Sequence, residues 1–182
     1  MSVSESRAVW RVTALATPAW RHACPSCRNP NARFTATDRF RVNANGAHLD
    51  VWLLHACDGC GATHKRSLLR RTPVAAVDPE RLDAYHRNDP ARAWAHAFEI
   101  ATHEPLPYRV ERPALPASGT LLVRIEQPFA CGLRWDRFLA AELDWSRARV
   151  AAAWRAGALT IDTARALADR VADGATLRVT LP

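Results

Sequence analysis

Three observations predict an α+β chain of two modules: two Cys-x-x-Cys pairs flanking a hairpin signal, two Asp-Pro helix starts, and a strand–helix–helix–strand pattern beyond a proline-rich stretch. The expected division is 1–104 for a β module with two short helices, 105–119 for a linker and 120–182 for a small second module. With 182 residues, 48% of them hydrophobic, the chain has the material for a folded core. No run approaches the roughly 18 apolar residues of a membrane span. The start, "MSVSESRAVWRV", lacks the apolar core of a secretory signal. A cytoplasmic chain with no membrane partner is expected.

Cysteine organises the first module. Four of the five cysteines form "CPSC" at Cys24 and Cys27 and "CDGC" at Cys57 and Cys60, with twenty-nine residues between the pairs. Each tight turn presents two sulfurs, so the pattern predicts a zinc ribbon holding one Zn2+ per chain on these four residues. Four thiolates leave zinc no position for water, which makes the expected role structural. A redox dithiol would place one such pair at a strand-to-helix junction, and disulfides belong to an oxidising compartment. Gly61 after the second pair suits a tight turn, whereas Arg28 after the first departs from that symmetry. His22, His55 and His64 lie close enough in sequence to substitute as ligands but read as ribbon-surface residues. Cys131 stands alone before a predicted helix and reads as a small apolar filler.

Between the pairs runs "DRFRVNANGAHLDVWLL", with Asn45-Gly46 as a two-residue turn signal. Phe40, Val42, Leu49, Val51 and Leu53 are then expected on one face, and Arg39, Arg41, Asn43, His48, Asp50 and Trp52 on the other. Arg41 is expected opposite Asp50, and Arg39 opposite Trp52. The next stretch carries Asp78-Pro79 and Asp89-Pro90, each an N-cap followed by proline at the first helical position. The second helix is expected to run through Trp94, Phe98 and Ile100 and to stop before Pro105. Leu82, Tyr85, Trp94, Ala97, Phe98 and Ala101 are its and its neighbour's packing residues. His86, His96 and His103 share no metal spacing and read as surface or packing residues.

Charge is uneven. Met1–Thr72 holds ten Arg and one Lys against four acids, net +7; Pro73–Gly119 nets −2 and Thr120–Pro182 nets +2. The positive field at the N-terminal end is suited to a polyanion.

"EPLPYRVERPALPASG" reads as an extended linker. Beyond it, "TLLVRIEQPF" reads as a strand and "RWDRFLAAEL" as a helix burying Trp135, Phe138, Leu139 and Leu143. A second helix is N-capped by Ser146 and ends at Gly157, and "ALTI" and "TLRVTLP" read as strands.

"RWDRFLAAELDWSRARVAAAWRAGALTI" resembles the alpha-L RNA-binding motif, the small fold of ribosomal small-subunit protein S4. The resemblance rests on Arg134, Asp136, Leu139, Leu143, Ser146, Arg147 and Gly157, with "VADGATLRV" similar to the motif's closing strand. Trp135 and Trp145 stand where the motif has leucine, and Asp162-Thr163 where it has Asn-Gly. The stretch from Gly157 to Val171 is short for the motif and reads as partly helical. The resemblance implies an S4-like module that contacts RNA through the start of the Ser146 helix. Arg147 at its first turn is the leading candidate, and Arg134, Arg137, Arg149 and Arg155 would extend the patch. The competing expectation for these arginines is surface pairing with Asp136, Glu142 and Asp144. Arg39 and Arg41 on the ribbon would add sequence-independent affinity.

The chain also resembles a bacterial family of unknown function, numbered 1062 among such domains, through "FRVNANGAHLDVWLLHACDGCGATHK" and "NDPARAWAHAFEIA". No spacing of acid, base and nucleophile points to an enzyme. The expected function is therefore non-catalytic binding of structured RNA, rRNA or tRNA, on a ribosomal subunit or free. The competing expectation is a protein-interaction scaffold whose S4-like fold no longer binds RNA.

Overall fold

The computed structural model describes residues 5–100 and 104–181. The chain forms two compact units, Thr17–Thr102 and Met1–Ala16 with His103–Pro182. This differs from the linear division at 104, 105–119 and 120. The first strand, β1 (Glu5–Ala14), is taken up by the second unit's sheet because Trp10, Val12 and Ala14 are buried there.

In the Thr17–Thr102 unit, β2 (Trp20–His22), β3 (Ala32–Asn45), β4 (His48–Cys57) and β5 (Thr63–Pro73) form an antiparallel sheet in that order. The β3–β4 turn sits one residue later than expected. Asn45 pairs with His48, leaving Gly46 and Ala47 in the turn, and Gly46 has φ 59°. A turn of this kind needs one positive φ, at a glycine in its first central position. As a result Arg41 opposes Trp52 and Asn43 opposes Asp50, while Arg39 lies in the irregular stretch between Ala36 and Phe40. Each partner has moved by two positions, so the expected faces survive. Phe40, Leu49, Val51 and Leu53 are all buried. Burial of each contributes roughly 1.5–3 kcal/mol, whereas a cross-strand pair contributes roughly 0.2–1 kcal/mol. Parity therefore decides this hairpin, and the facing pairs follow.

The apolar face is covered by α1 (Pro79–His86) and α2 (Pro90–Ala97). Asp78 and Asp89 cap them, accepting from the backbone N–H groups of Arg81 and Arg92 at 3.0 and 2.9 Å. Asn88 between the helices has φ 56° and accepts from the Phe40 N–H at 2.7 Å, which ties the helical pair to β3. α2 ends at Ala97, short of Ile100. It buries Ala93, His96 and Ala97, while Trp94 and Phe98 are half-buried with their ring centroids 5.8 Å apart. Small side chains let the helix approach the sheet, and the two large rings lie at its margin. Ala101 and His103 lie outside the described residues.

The other unit is a five-stranded sheet in the order β6-β1-β7-β9-β8, with β6 Tyr108–Glu111, β7 Gly119–Glu126, β8 Leu159–Ile161 and β9 Thr176–Leu181. β1 is parallel to β7 and antiparallel to β6. The proline-rich stretch is thus partly a strand, since Tyr108–Glu111 contains no proline and alternates half-buried and exposed positions. Two helices, α3 (Trp135–Glu142) and α4 (Arg147–Arg155), accompany the sheet, and Trp135, Phe138, Leu139, Leu143 and Val150 are buried. Ser146 caps α4, accepting from the Arg149 N–H at 3.1 Å, and Gly157 follows it at φ 70°. Between Asp162 and Asp169 the chain runs as turns, where a partly helical segment is expected. The Asp169 carboxylate accepts from the backbone N–H groups of Arg165 and Ala166 and closes that turn. Among the described residues no helix is long and apolar enough to cross a membrane.

Candidate functional site

Cys24, Cys27 and Cys60 sit in the β2–β3 and β4–β5 connections and Cys57 ends β4, all at the same end of the sheet. There the pairing of Phe34 with Cys57 brings them together. The ligand atoms of Cys24, Cys27, Cys57 and Cys60 all lie within 4.8 Å of one another. Across the two turns, Cys24 Sγ is 3.7 Å from Cys60 Sγ, and Cys27 Sγ is 3.9 Å from Cys57 Sγ. Sulfurs bonded in a disulfide are about 2.05 Å apart, and all four thiols are free. Sulfurs placed tetrahedrally about a zinc ion at about 2.3 Å are about 3.8 Å apart. Both cross-turn separations match that spacing, so the four cysteines could hold a metal ion.

Both turns are closed by backbone hydrogen bonds. The Arg28 N–H donates to Cys24 O and the Gly61 N–H to Cys57 O, each at 2.8 Å. Asp58 accepts from the Thr35 hydroxyl at 2.7 Å and pairs with Arg33 at 3.3 Å, which anchors the second turn to β3. The thiols are not equivalent. Backbone N–H donation from Cys27 lowers the Cys24 thiol to about 7, despite the opposing effect of burial. The Ala62 N–H favours the Cys60 thiolate, but burial and the neighbouring thiols push it up to about 11. Four sulfurs this close resist simultaneous ionisation unless a cation sits among them.

His22, His55 and His64 are not in that ligand group. They surround Trp20 and Phe34. His22 stacks on Phe34 at 4.1 Å and lies 4.2 Å from His64, and Trp20 is 5.7 Å from His55. His55 is fully buried, and desolvation lowers its pKa to about 4. The expectation of ribbon-surface histidines is corrected for His55, which belongs to the packing beside the thiols. Cys131 is also fully buried, and burial pushes its thiol up to about 11.

The arginines expected to meet an anion are placed unequally. Arg147 Nη2 binds Asp136 Oδ2 at 2.6 Å, and Arg134 Nε binds Asp136 Oδ1 at 3.1 Å, so one buried carboxylate holds both cations. Burial favours the neutral Asp136 acid, but the Arg147 and Arg134 guanidinium groups outweigh it and hold its pKa below the usual value. Arg149 lies 4.2 Å above the Trp145 ring, and Arg155 Nε donates to Ala151 O of its own helix at 3.2 Å. Arg39, Arg41 and Arg137 are exposed, and none of them has an ion pair among the described residues. Ser146 is engaged as the α4 cap.

A family model described as "Protein of unknown function (DUF1062)" matches residues 42–165, about two thirds of the chain. The chain belongs to the DUF1062 family. The matched stretch contains Cys57 and Cys60 and both helical pairs, and starts beyond Cys24 and Cys27. No curated protein and no solved structure matches this DUF1062 chain.

Three contributors escape a reading of the sequence. Lys65 reaches the Trp52 ring at 5.9 Å from β5, a contact that only the β4–β5 register reveals. Arg170 is brought opposite Arg134 by an isolated antiparallel bridge. Asp136 was legible as a surface partner for arginine, but not as a buried carboxylate shared by Arg134 and Arg147.

Proposed function

We propose that this DUF1062 chain is a non-catalytic, cytoplasmic RNA-binding protein. In this reading the four thiolates form a zinc ribbon holding one structural Zn2+, and an S4-like module lies over 120–182. The target class is structured RNA such as rRNA or tRNA.

The observation that carries the reading is the open face of the β3–β5 sheet. Arg41 and Lys65 are exposed there around the half-buried Trp52, on the side away from α1 and α2, and Arg39 is exposed in the irregular stretch two residues before Arg41. Asp50 on the same strand is engaged by the Arg71 N–H at 2.9 Å. Exposed cations beside an indole suit phosphates with a base stacked between them. Support for the second module comes from Arg134 and Arg147 held side by side by Asp136, Arg134 just before α3 and Arg147 in the first turn of the Ser146-capped α4.

The test is retention of total tRNA and rRNA on a filter by the zinc-loaded chain. Affinity should fall more than tenfold between about 50 and about 200 mM salt. Replacing Arg39 and Arg41 by Ala should weaken binding and make the salt slope shallower by about one per arginine. Absence of retention at low salt overturns the reading.

One observation favours a protein-interaction scaffold. Arg147, the leading candidate for phosphate contact, is paired with Asp136, and Arg149 is laid over Trp145. On that reading the chain purifies from cells with a defined protein, and nuclease leaves the complex intact.

A further inference from the structure

The sheet of the second unit has two unlike faces. Trp10, Leu121, Val123, Ile125, Leu177 and Val179 are buried on one, the side on which the Trp10 ring meets Phe138 of α3 at 5.9 Å. The residues between them on β1, β7 and β9 alternate onto the other face. There the register sets Arg7, Leu122 and Arg178 side by side in one row, and Val9, Arg124 and Thr176 in the next. All of these are exposed except the half-buried Leu122. Most of them line an open hollow of about 520 Å3, to which Arg7 comes from β1 and Arg124 from β7.

Charge on this face is not balanced. Arg11 pairs with Glu126 at 2.9 Å and Arg109 with Glu111 at 2.9 Å, while Arg7 meets Glu5 at 3.5 Å in an exposed pair that another anion can displace. Asp162, just past β8, accepts from the Thr176 N–H at 2.9 Å. The guanidinium groups of Arg124 and Arg178 have neither ion pair nor hydrogen bond among the described residues. Arg124 opposes Thr176 and Arg178 lies two residues further along β9, so the two arginines are diagonal neighbours on one strand pair. Such neighbours stand roughly 7 to 8 Å apart, close enough for their like charges to favour an anion over the face.

The chemistry of the face narrows what that anion is. β1, β7 and β9 are interior strands, so the ladders use their backbone groups and only side chains are left to meet a partner. Those side chains are guanidinium groups and the exposed hydroxyls of Thr160, Thr176 and Thr180, all of them donors suited to phosphate oxygens. This face of β1, β7 and β9 carries no aromatic ring on which an unpaired base could stack. Contact to the backbone without contact to the bases is how double-stranded RNA is recognised.

We propose that this face holds the sugar-phosphate backbone of double-stranded RNA, with Arg124 and Arg178 on neighbouring phosphates and Arg7 exchanging Glu5 for another. The proposal rests on the RNA-binding reading above and gives it a second surface, on the side of the sheet opposite α3 and dependent on β1.

The zinc-loaded full chain is titrated by fluorescence anisotropy with a short blunt duplex RNA and with single-stranded oligouridylate, between about 50 and about 200 mM salt, with polyglutamate as competitor. Replacing Arg124 and Arg178 together by Ala should weaken duplex binding roughly tenfold or more at the lower salt and make the salt slope shallower by about two. Arg124→Lys with Arg178→Lys should retain most of the affinity, because the charges remain. Oligouridylate should lose less than the duplex. Equal losses for the two RNAs overturn the duplex assignment. Duplex binding whose affinity and slope survive the alanine pair overturns this face and leaves the RNA reading standing. Polyglutamate that displaces the duplex at equal charge overturns RNA as the occupant in favour of an acidic protein. No binding of either RNA at low salt overturns the RNA reading, and this face with it.

Discussion

Arg28 and Gly61 occupy the same place in the two cysteine turns, one residue past the second cysteine, with φ of 60° and 73°. Each donates its N–H to the carbonyl of its turn's first cysteine at 2.8 Å. The sequence sets a large residue against a glycine, yet the backbone is the same, so the turn geometry overrides the preference of arginine. A left-handed backbone costs a residue with a Cβ roughly 1 to 2 kcal/mol. Arg28→Gly should therefore stabilise the metal-loaded chain by about 1 kcal/mol, less the extra unfolded-state freedom of glycine. A urea midpoint that rises checks it. Arg28→Ala should show no such gain.

Metal removal should act on the Thr17–Thr102 unit. Zinc bound by four thiolates contributes on the order of 10 kcal/mol, which exceeds the whole stability of many domains of this size. Elemental analysis should give one zinc per chain, and chelation should abolish the near-ultraviolet signal of the Trp20 environment. Cys24→Ser should remove the zinc as well, because Cys24 is one of the four clustered sulfurs and is buried.

His96 predicts a dependence of stability on pH. It is buried in α2. Tyr85 Oη lies 3.1 Å from its Nε2 and the Glu99 carboxylate 2.8 Å from its Nδ1, while Arg66 Nη2 holds Glu99 at 2.9 Å. Burial lowers the His96 pKa, and this outweighs the raising effect of Glu99; Arg81 and Arg66 add to the lowering. The unfolded chain thus takes up the proton more readily than the folded one. The contribution is complete above about 6.5, the unfolded value, and is lost as the pH falls towards the lower folded value. Urea midpoints at about pH 7.5 and about pH 5 should differ more for the wild type than for His96→Gln. Comparing the two slopes removes changes common to both proteins, including acid loss of metal.

Legibility followed the range of the interactions. The caps at Asp78, Asp89 and Ser146 are local bonds across three residues, and the sequence predicts all three. The cysteine cluster is long-range, but a fixed ligand spacing announces it. The hairpin register was off because Asn45-Gly46 permits two turn positions, and only the structure shows that Asn45 stays in the strand. Glu5–Ala14 alternates buried and exposed residues towards Ala14, yet its parallel partner Gly119–Glu126 is more than a hundred residues away. Nothing near Trp10 announces that pairing. Tyr108–Glu111 was hidden by its flanking prolines. Asp136 was legible as a surface partner for arginine, but its burial between Arg134 and Arg147 depends on how α3 and α4 cross.

Gly132 and Gly157 separate two reasons for glycine. Both have positive φ, 66° and 70°, so alanine at either costs roughly 1 to 2 kcal/mol in backbone strain. At Gly157 an added Cβ meets nothing within 4 Å, and strain is the whole effect. At Gly132 it also meets the backbone oxygen of Glu104 at 2.8 Å, and a backbone atom cannot swing aside as a side-chain tip can. The Glu104–Leu106 segment must then move, and the Leu106 to Cys131 bond stretches with it. Gly132→Ala should therefore destabilise the chain by about 1 kcal/mol or more beyond Gly157→Ala. Amide exchange should show the excess loss of protection concentrated at Leu106. Equal urea midpoints for the two variants would mean that the close approach at Gly132 carries no strain.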